Sequence, residues 1–316
     1  MAGMENLVIL DIGSNSVRMA INQIDSNGSY REIKRIKNDS RLSEGMGKEK
    51  VLQTVAIDRT INALENFQKI YLKYDSVNVI GIATAAVRQA VNRNQFLDQV
   101  KQRIGIDVRV LSGNKEAYYD YLGVMNRLGS KNCLILDIGG ASCELIRVKN
   151  GQNTNLTSIP IGAVNISERY RLGDLISGAN LYNGMFHIRK VFSKIKWLPQ
   201  SSKQPLVLLG GANRTLARIN RRRQKMTHID SIHGYHLTYE QVNRTFMSLI
   251  RVNLKKRQRI QGLENDRADI IVGGLLPLIV LLDFVDSKKV IFSESGVREG
   301  IITEYVEQHF SNQKIK

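Results

Sequence analysis

Two stretches far apart in the chain carry the same pattern. Val8–Ile21 reads Val-Ile-Leu-Asp-Ile-Gly-Ser-Asn-Ser-Val-Arg-Met-Ala-Ile, and Leu134–Ile146 reads Leu-Ile-Leu-Asp-Ile-Gly-Gly-Ala-Ser-Cys-Glu-Leu-Ile. In each, an apolar run ends at Asp-Ile-Gly, passes through small residues that include a serine, and turns apolar again. Short apolar runs bounded by glycine read as buried strands, so each copy is expected to be a strand, a tight turn and a second strand. Placing Asp137 on Asp11 aligns Ile138 with Ile12, Gly139 with Gly13 and Ser142 with Ser16, and sets Glu144 opposite Arg18. A single distant repeat points to two related lobes rather than a solenoid, whose units recur every 20–50 residues or about that.

The residues of such a turn suggest its chemistry. Glycine permits a tight bend and brings backbone N–H groups close to an anion, and the serine adds a hydroxyl donor. A carboxylate at the end of the strand would repel a phosphate unless a cation stood between them, so Asp137 suggests Mg²⁺. Asp and Gly are also ordinary turn formers, and that plainer reading suits a single copy better than a matched pair.

At 316 residues the chain is long enough for two cores, and its 42% apolar content is that of a folded globular protein. A formal charge of +17 implies a polyanionic partner: nucleic acid, an anionic membrane or a phosphate polymer. With only 6% aromatic residues there is little material for base stacking, which disfavours nucleic acid. Cys133 and Cys143 flank the second turn and are read as reduced core thiols. The N-terminus runs almost directly into a strand without a signal-type leader. The longest apolar run, Ile270–Leu282, is interrupted by Gly273, Gly274 and Pro277 and is too short to span a bilayer. A cytoplasmic protein without a membrane partner is expected.

Between the two turns, Val55, Ile57, Ile61, Leu64, Phe67 and Ile70 recur at helical spacing over Val55–Tyr71. Val77–Ala83 reads as a strand that delivers the chain to Thr84 and Arg88, and Asn94–Ile104 is again helical. After a strand at Val108–Leu111, Ser112 is placed to cap a helix running to Met125, with Glu116 in its first turn. There the carboxylate complements the helix dipole, and from local pattern alone that is reason enough for it. Later, Leu206–Leu209 empties into Gly210-Gly211, a third turn of phosphate-binding type. Thr238 caps a helix through Leu249. Ile270–Leu282 reads as a buried helix, Val290–Ser293 as the last strand, and a terminal helix follows Arg298-Glu299-Gly300. Basic runs at Arg221–Arg223 and Lys255–Arg259 fit either a polyanion track or an ordinary solvated face. Alternating strands and helices make this an α/β chain. The domain boundary is expected near Gly123–Lys131, giving an N-terminal lobe over 1–125 and a C-terminal lobe over 126–299. The final helix, about 300–316, is expected to pack back on the first lobe.

The set of pieces resembles the exopolyphosphatase/guanosine pentaphosphate phosphohydrolase (Ppx/GppA) family of the actin-like ATPase superfamily, in its short two-domain form. Carrying the resemblance are Asp11-Ile-Gly-Ser-Asn-Ser16, Ala83-Thr-Ala-Ala-Val-Arg88 with Asn92 and Phe96, Ser112-Gly113 with Glu116-Ala117, and Asp137-Ile-Gly-Gly140 with Ser142 and Glu144. Ile159-Pro-Ile-Gly162, Leu209-Gly-Gly211, Arg267-Ala-Asp269 and Arg298-Glu-Gly300 extend it over nearly the whole chain. It implies two ribonuclease-H-like lobes with an interdomain cleft. By the same resemblance Glu116 is the general base, Asp137 and Glu144 hold Mg²⁺ (or Mn²⁺) and orient the attacking water, and Arg88 clamps a phosphate. Gly139, Gly140 and Ser142 form one phosphate loop, and Gly13, Ser14 and Asn15 the other.

The chain departs from the pattern at Lys115, where a second glutamate is common, at Ala141 and Cys143, where glycine and threonine are common, and at Asn213 after Gly210-Gly211-Ala212. Longer members carry a further helical domain, so terminal phosphate cleavage is implied more firmly than long-chain processivity. The expected activity is Mg²⁺-dependent release of orthophosphate from the ends of inorganic polyphosphate. Guanosine pentaphosphate is the alternative substrate. A weakly catalytic polyphosphate or alarmone sensor, and a sugar kinase or actin-like ATPase, are the other readings, and a two-fold homodimer is the default assembly.

Overall fold

A computed structural model describes residues 4–310 of the chain. Its contacts divide it into two units, one comprising residues up to Lys115 together with those from Ile301 onward, the other Glu116–Gly300.

In the first unit, β1 (Glu5–Ile12), β2 (Val17–Ile24) and β3 (Tyr30–Asn38) form an antiparallel meander. The helix α1 (Thr54–Tyr71) returns the chain to β4 (Val77–Ala83), which lies parallel to β1. Two more helices, α2 (Ala85–Gln89) and α3 (Arg93–Ile104), lead to β5 (Val108–Val110), parallel to β4. The strand order is β3-β2-β1-β4-β5. β1 has neighbours on both sides, and Leu7–Leu10 are wholly buried, which is why its sequence is continuously apolar rather than alternating. At the edge, β3 carries Arg31, Glu32, Lys34, Arg35 and Lys37 and is mostly exposed, as suits an unpaired edge that must not recruit another strand. α1 buries Ile57, Ile61, Leu64 and Phe67, one stripe of its surface, against Leu10, Met19 and Phe96. Each such side chain contributes about 1.5–3 kcal/mol by leaving water.

The second unit begins in α4 (Gly113–Arg127) and repeats the plan. β6 (Cys133–Ile138), β7 (Cys143–Lys149) and β8 (Gln152–Ile159) form the antiparallel meander. Helices α5 (Ala163–Arg169) and α6 (Gly178–Phe192) precede β9 (Leu206–Gly210), parallel to β6. There follow α7 (Gly211–Arg223), the short β10 (His236–Thr238), α8 (Tyr239–Ile250), α9 (Leu254–Arg257), α10 (Ile271–Phe284), β11 (Lys289–Phe292) and α11 (Val297–Phe310). β11 is parallel to β9, and β10 adds an antiparallel edge. From its meander edge this sheet reads β8-β7-β6-β9-β11-β10. Both sheets therefore share the order three-two-one-four-five with the same strand directions, the ribonuclease-H-like arrangement, and the paired Asp-Ile-Gly motifs occupy the same first turn in each. α10 is buried throughout Ile271–Leu282 because α5, α6, α7 and α8 surround it.

The division between the units falls inside α4, at Lys115/Glu116, rather than in the polar stretch Gly123–Lys131. The body of α4 contributes Ala117, Tyr121 and Val124 to a cluster with Ile135, Ile146 and Val207 of the second sheet, so it belongs to that core. In the first unit, Tyr305 of α11 donates to Glu5 and accepts from the Asn78 amide at 2.9 Å, which ties the last helix to β1 and β4.

The two basic runs are not uniformly surface features. Arg257 is fully buried and donates to the carbonyls of Leu249, Gly173, Ala268, Asp174 and Val252. Arg221 is buried as well, donating to the His228 carbonyl at 2.7 Å with its guanidinium over the Tyr235 ring. Both arginines stitch loops together and are unavailable to a polyanion track. Arg222, Lys255 and Lys256 are exposed.

Candidate active site

The ladder of β6 and β7 sets Asp137 directly opposite Glu144. In β1 and β2 the same position pairs Asp11 with Arg18, an ion pair at 3.8 Å. The first hairpin thus neutralises its strand-end acid, whereas the second places two acids side by side, an arrangement that is unfavourable by itself.

Two further acids come from α4, where Ser112 Oγ accepts the Lys115 N–H at 3.2 Å and starts the helix. Glu116 in the first turn is buried, and Asp120, one turn on, has no exposed surface. One carboxylate oxygen each from Asp120, Asp137 and Glu144 lie within 4.8 Å of one another. Burial, followed by the charges of Glu116 and Asp137, pushes Glu144 well above the ordinary carboxylate range, although the Ser158 and Ser142 hydroxyls donate to it. Burial and then Asp137, Glu144 and Glu116 do the same to Asp120, which the Val297 N–H offsets only in part. Neither oxygen of Asp120 has a hydrogen-bond partner of ordinary geometry. Four acids crowded in a buried place, one of them with orphaned oxygens, fit a hard divalent cation: an all-oxygen donor set suits Mg²⁺ or Mn²⁺ rather than a thiolate-seeking metal.

The turn itself is built tightly. The Gly139 N–H donates to Ser142 O at 3.0 Å, as the Gly13 N–H does to Ser16 O at 3.1 Å, so both turns close identically. The Gly139 and Gly140 carbonyls accept the N–H groups of Ala163 and Val164 at the start of α5, at 2.9 and 2.8 Å. Gly162 makes that docking feasible, since a Cβ there would lie 2.4 Å from the Gly140 carbonyl. On the other side Gly210, at φ +89°, presses against the turn: a Cβ would lie 2.3 Å from the Ile138 carbonyl and 2.6 Å from Asp137 Oδ1. The Gly210-Gly211 turn therefore supports Asp137 directly.

Gly13, Ser14, Asn15 and Arg88 belong to the first unit. The Ser14 and Asn15 carbonyls accept the N–H groups of Ser43 and Arg41 at 2.9 and 3.0 Å. The Asn15 side-chain amide is buried with its N–H donors unpartnered, as are the neighbouring Ser40 and Ser43 hydroxyls. Such donors suit an anion. Arg88 is oriented by its bond to the Leu111 carbonyl at 2.9 Å.

The departures from the family pattern have local reasons. Lys115 forms an ion pair with Glu304 at 2.6 Å. Cys143 points into the core beside Leu145 and Ile159, so its side chain is packing rather than chemistry. Asn213 is buried and its amide donates to the Leu209 carbonyl at 2.6 Å, bracing the turn from β9 to α7. Sequence reasoning missed Asp120. Its signal was the spacing Glu116…Asp120, which puts both acids on one face of α4.

The model of the Ppx/GppA phosphatase family matches residues 20–309. The chain belongs to this family. A bifunctional 3-dehydroquinate synthase/phosphatase of Fusobacterium nucleatum is 32% identical over 94% of the chain, which spans 46% of that relative, about half its length. A putative exopolyphosphatase of Haemophilus influenzae is 27% identical over 94% of the chain and 90% of the relative. A guanosine-5'-triphosphate,3'-diphosphate pyrophosphatase of Vibrio atlanticus is 28% identical over 95% of the chain and 59% of the relative. Among solved structures, the Aquifex aeolicus family member superposes with a TM-score of 0.79 at 28% identity, covering 97% of this chain and 99% of that one. An exopolyphosphatase from Cytophaga hutchinsonii shares the fold with a TM-score of 0.88 at 24% identity, over 96% and 98% of the two chains. Among the described residues no helix is long and apolar enough to cross a membrane.

Proposed function

We propose that the protein is a divalent-metal-dependent phosphoanhydride hydrolase that releases orthophosphate from the ends of inorganic polyphosphate. The observation that carries this reading is the acidic cluster at the β6–β7 turn, Asp137 facing Glu144 with Glu116 and Asp120 close by. Phosphoryl transfer to water requires charge neutralisation, positioning and an oriented nucleophile, and little covalent chemistry. Asp137 and Glu144 would hold Mg²⁺ or Mn²⁺, which when bound neutralises phosphate charge. Glu116, fixed in the first turn of α4, serves as general base for the water. The turn of Gly139, Gly140 and Ser142, and in the first unit that of Gly13, Ser14 and Asn15, cradle phosphate oxygens, with the Asn15 side-chain amide as one open donor. Arg88 grips a phosphate through its planar guanidinium. The charge of +17 supports a long polyanion as substrate. A cytoplasmic location and a two-fold dimer accompany the proposal.

The second reading, hydrolysis of guanosine pentaphosphate at its 5′ γ-phosphate, draws on the Vibrio relative. Orthophosphate release measured on polyphosphates of graded length and on guanosine pentaphosphate, in Mg²⁺ and in Mn²⁺, tests both. Faster release from polyphosphate is expected. Faster release from the nucleotide selects the second reading, and tight binding of either compound without turnover would make the protein a sensor.

A further inference from the structure

We infer that Asp120 is a third protein ligand of the divalent cation held by Asp137 and Glu144, so that α4 supplies both the general base and a metal ligand. This rests on the reading of Asp137 and Glu144 as a metal-holding pair. An oxygen of Asp120 lies within 4.8 Å of oxygens of both other acids. Oxygens that share one ion at about 2.0–2.6 Å from it lie within about 5 Å of each other.

The second observation is independent of that proximity. Asp120 is fully buried, and neither oxygen finds a hydrogen-bond donor of ordinary geometry. Buried carboxylates are normally hydrogen-bonded, paired or bound to metal. Its neighbours on α4, Ala117, Tyr121 and Val124, are core residues, so the position would suit an apolar side chain if packing were its only task. No arginine, lysine or histidine is paired with it among the described residues. Glu116, four residues earlier, shares its face of the helix. A rigid helix that carries both acids would fix the base relative to the ion, which loops would do less well.

A competing role is structural. Gly296 lies close enough that a Cβ there would meet Asp120 Oδ1 at 3.0 Å, and the Val297 N–H at the start of α11 faces the carboxylate. If Asp120 merely caps α11, asparagine should serve equally well, since its amide oxygen accepts the same bond.

Titration calorimetry of Mn²⁺ into the full chain, without substrate, separates the two roles in the wild type, Asp120→Asn, Asp120→Ser and Asp137→Asn. Melting temperatures in EDTA accompany it. Ligation predicts that both Asp120 variants bind Mn²⁺ at least about tenfold more weakly, and that Asp120→Asn melts in EDTA at or above the wild-type temperature. Wild-type Mn²⁺ affinity in Asp120→Asn, with binding lost in Asp137→Asn, overturns the role of Asp120 and leaves the metal reading standing. A wild-type chain that binds no Mn²⁺ overturns both.

Discussion

Asp137 lies directly across the β6–β7 ladder from Glu144, at the position where the first hairpin pairs Asp11 with Arg18. The repeat thus keeps its geometry and changes its charge. One copy closes its strand end with an ion pair, and the other sets two acids side by side.

That imbalance predicts opposite effects of one substitution on stability and on activity. Without metal, Glu144→Gln relieves like-charge repulsion of about 1 kcal/mol and raises the melting temperature in EDTA by about 2–4 °C. In Mg²⁺ the same variant loses phosphate release by about 10²-fold or more, as expected for removal of a preorganised electrostatic group. Paired melts with and without metal check the crossover.

Gly210→Ala is expected to destabilise the protein by at least about 1–3 kcal/mol, since the new methyl needs a left-handed backbone and collides with the Ile138 carbonyl. It also displaces Asp137, so metal affinity falls with stability. Urea unfolding and Mn²⁺ binding on the same variant measure the two effects.

Arg257→Met leaves five backbone carbonyls without their donor and is expected to cost about 3–5 kcal/mol. Lysine does not rescue it, because a point charge cannot reproduce the planar fork. Urea unfolding shows the loss. Reversing exposed charge with Lys255→Glu and Lys256→Glu leaves stability near wild type and instead slows polyphosphate turnover at low salt and lowers its salt sensitivity if those side chains guide the polymer.

Glu264 accepts from Thr215 at 2.7 Å and pairs with Arg218 and Arg267. Burial opposes its ionisation, but the Thr215 hydrogen bond and the charges of Arg267 and Arg218 outweigh it and hold the carboxyl below its ordinary 4.5. A depressed carboxyl pKa stabilises the folded state above the unfolded value and is lost as pH falls through the folded one. Glu264→Gln should therefore be less stable at pH 7 by about 1–3 kcal/mol, and the gap to wild type should narrow steadily below pH 4.5. Thermal melts across that range test the sign.

Much of the plan was legible because it rests on local pattern. The continuous apolar runs of β1 and β6, the stripe of α1 and the apolar length of α10 announce themselves by periodicity alone. What escaped depends on tertiary context. β10, three residues long, has no period to detect, and Arg221 and Arg257 look like surface charge until loops close over them. The unit boundary hides inside α4 because the helix is continuous while its packing partners change at Lys115. Asp120 was hidden by its neighbours: Tyr118, Tyr119 and Tyr121 make the segment read as core, and only the fold brings β6 and β7 against it.

The most direct test of the central claim is orthophosphate release from polyphosphate of defined length in Mg²⁺ by wild type and Glu116→Gln, with folding checked by circular dichroism. The wild type should release phosphate from chain ends, and the variant should fold normally and be slower by about 10²–10⁴-fold. Equal rates in the two proteins, or no release by the wild type from polyphosphate or guanosine pentaphosphate, would contradict it.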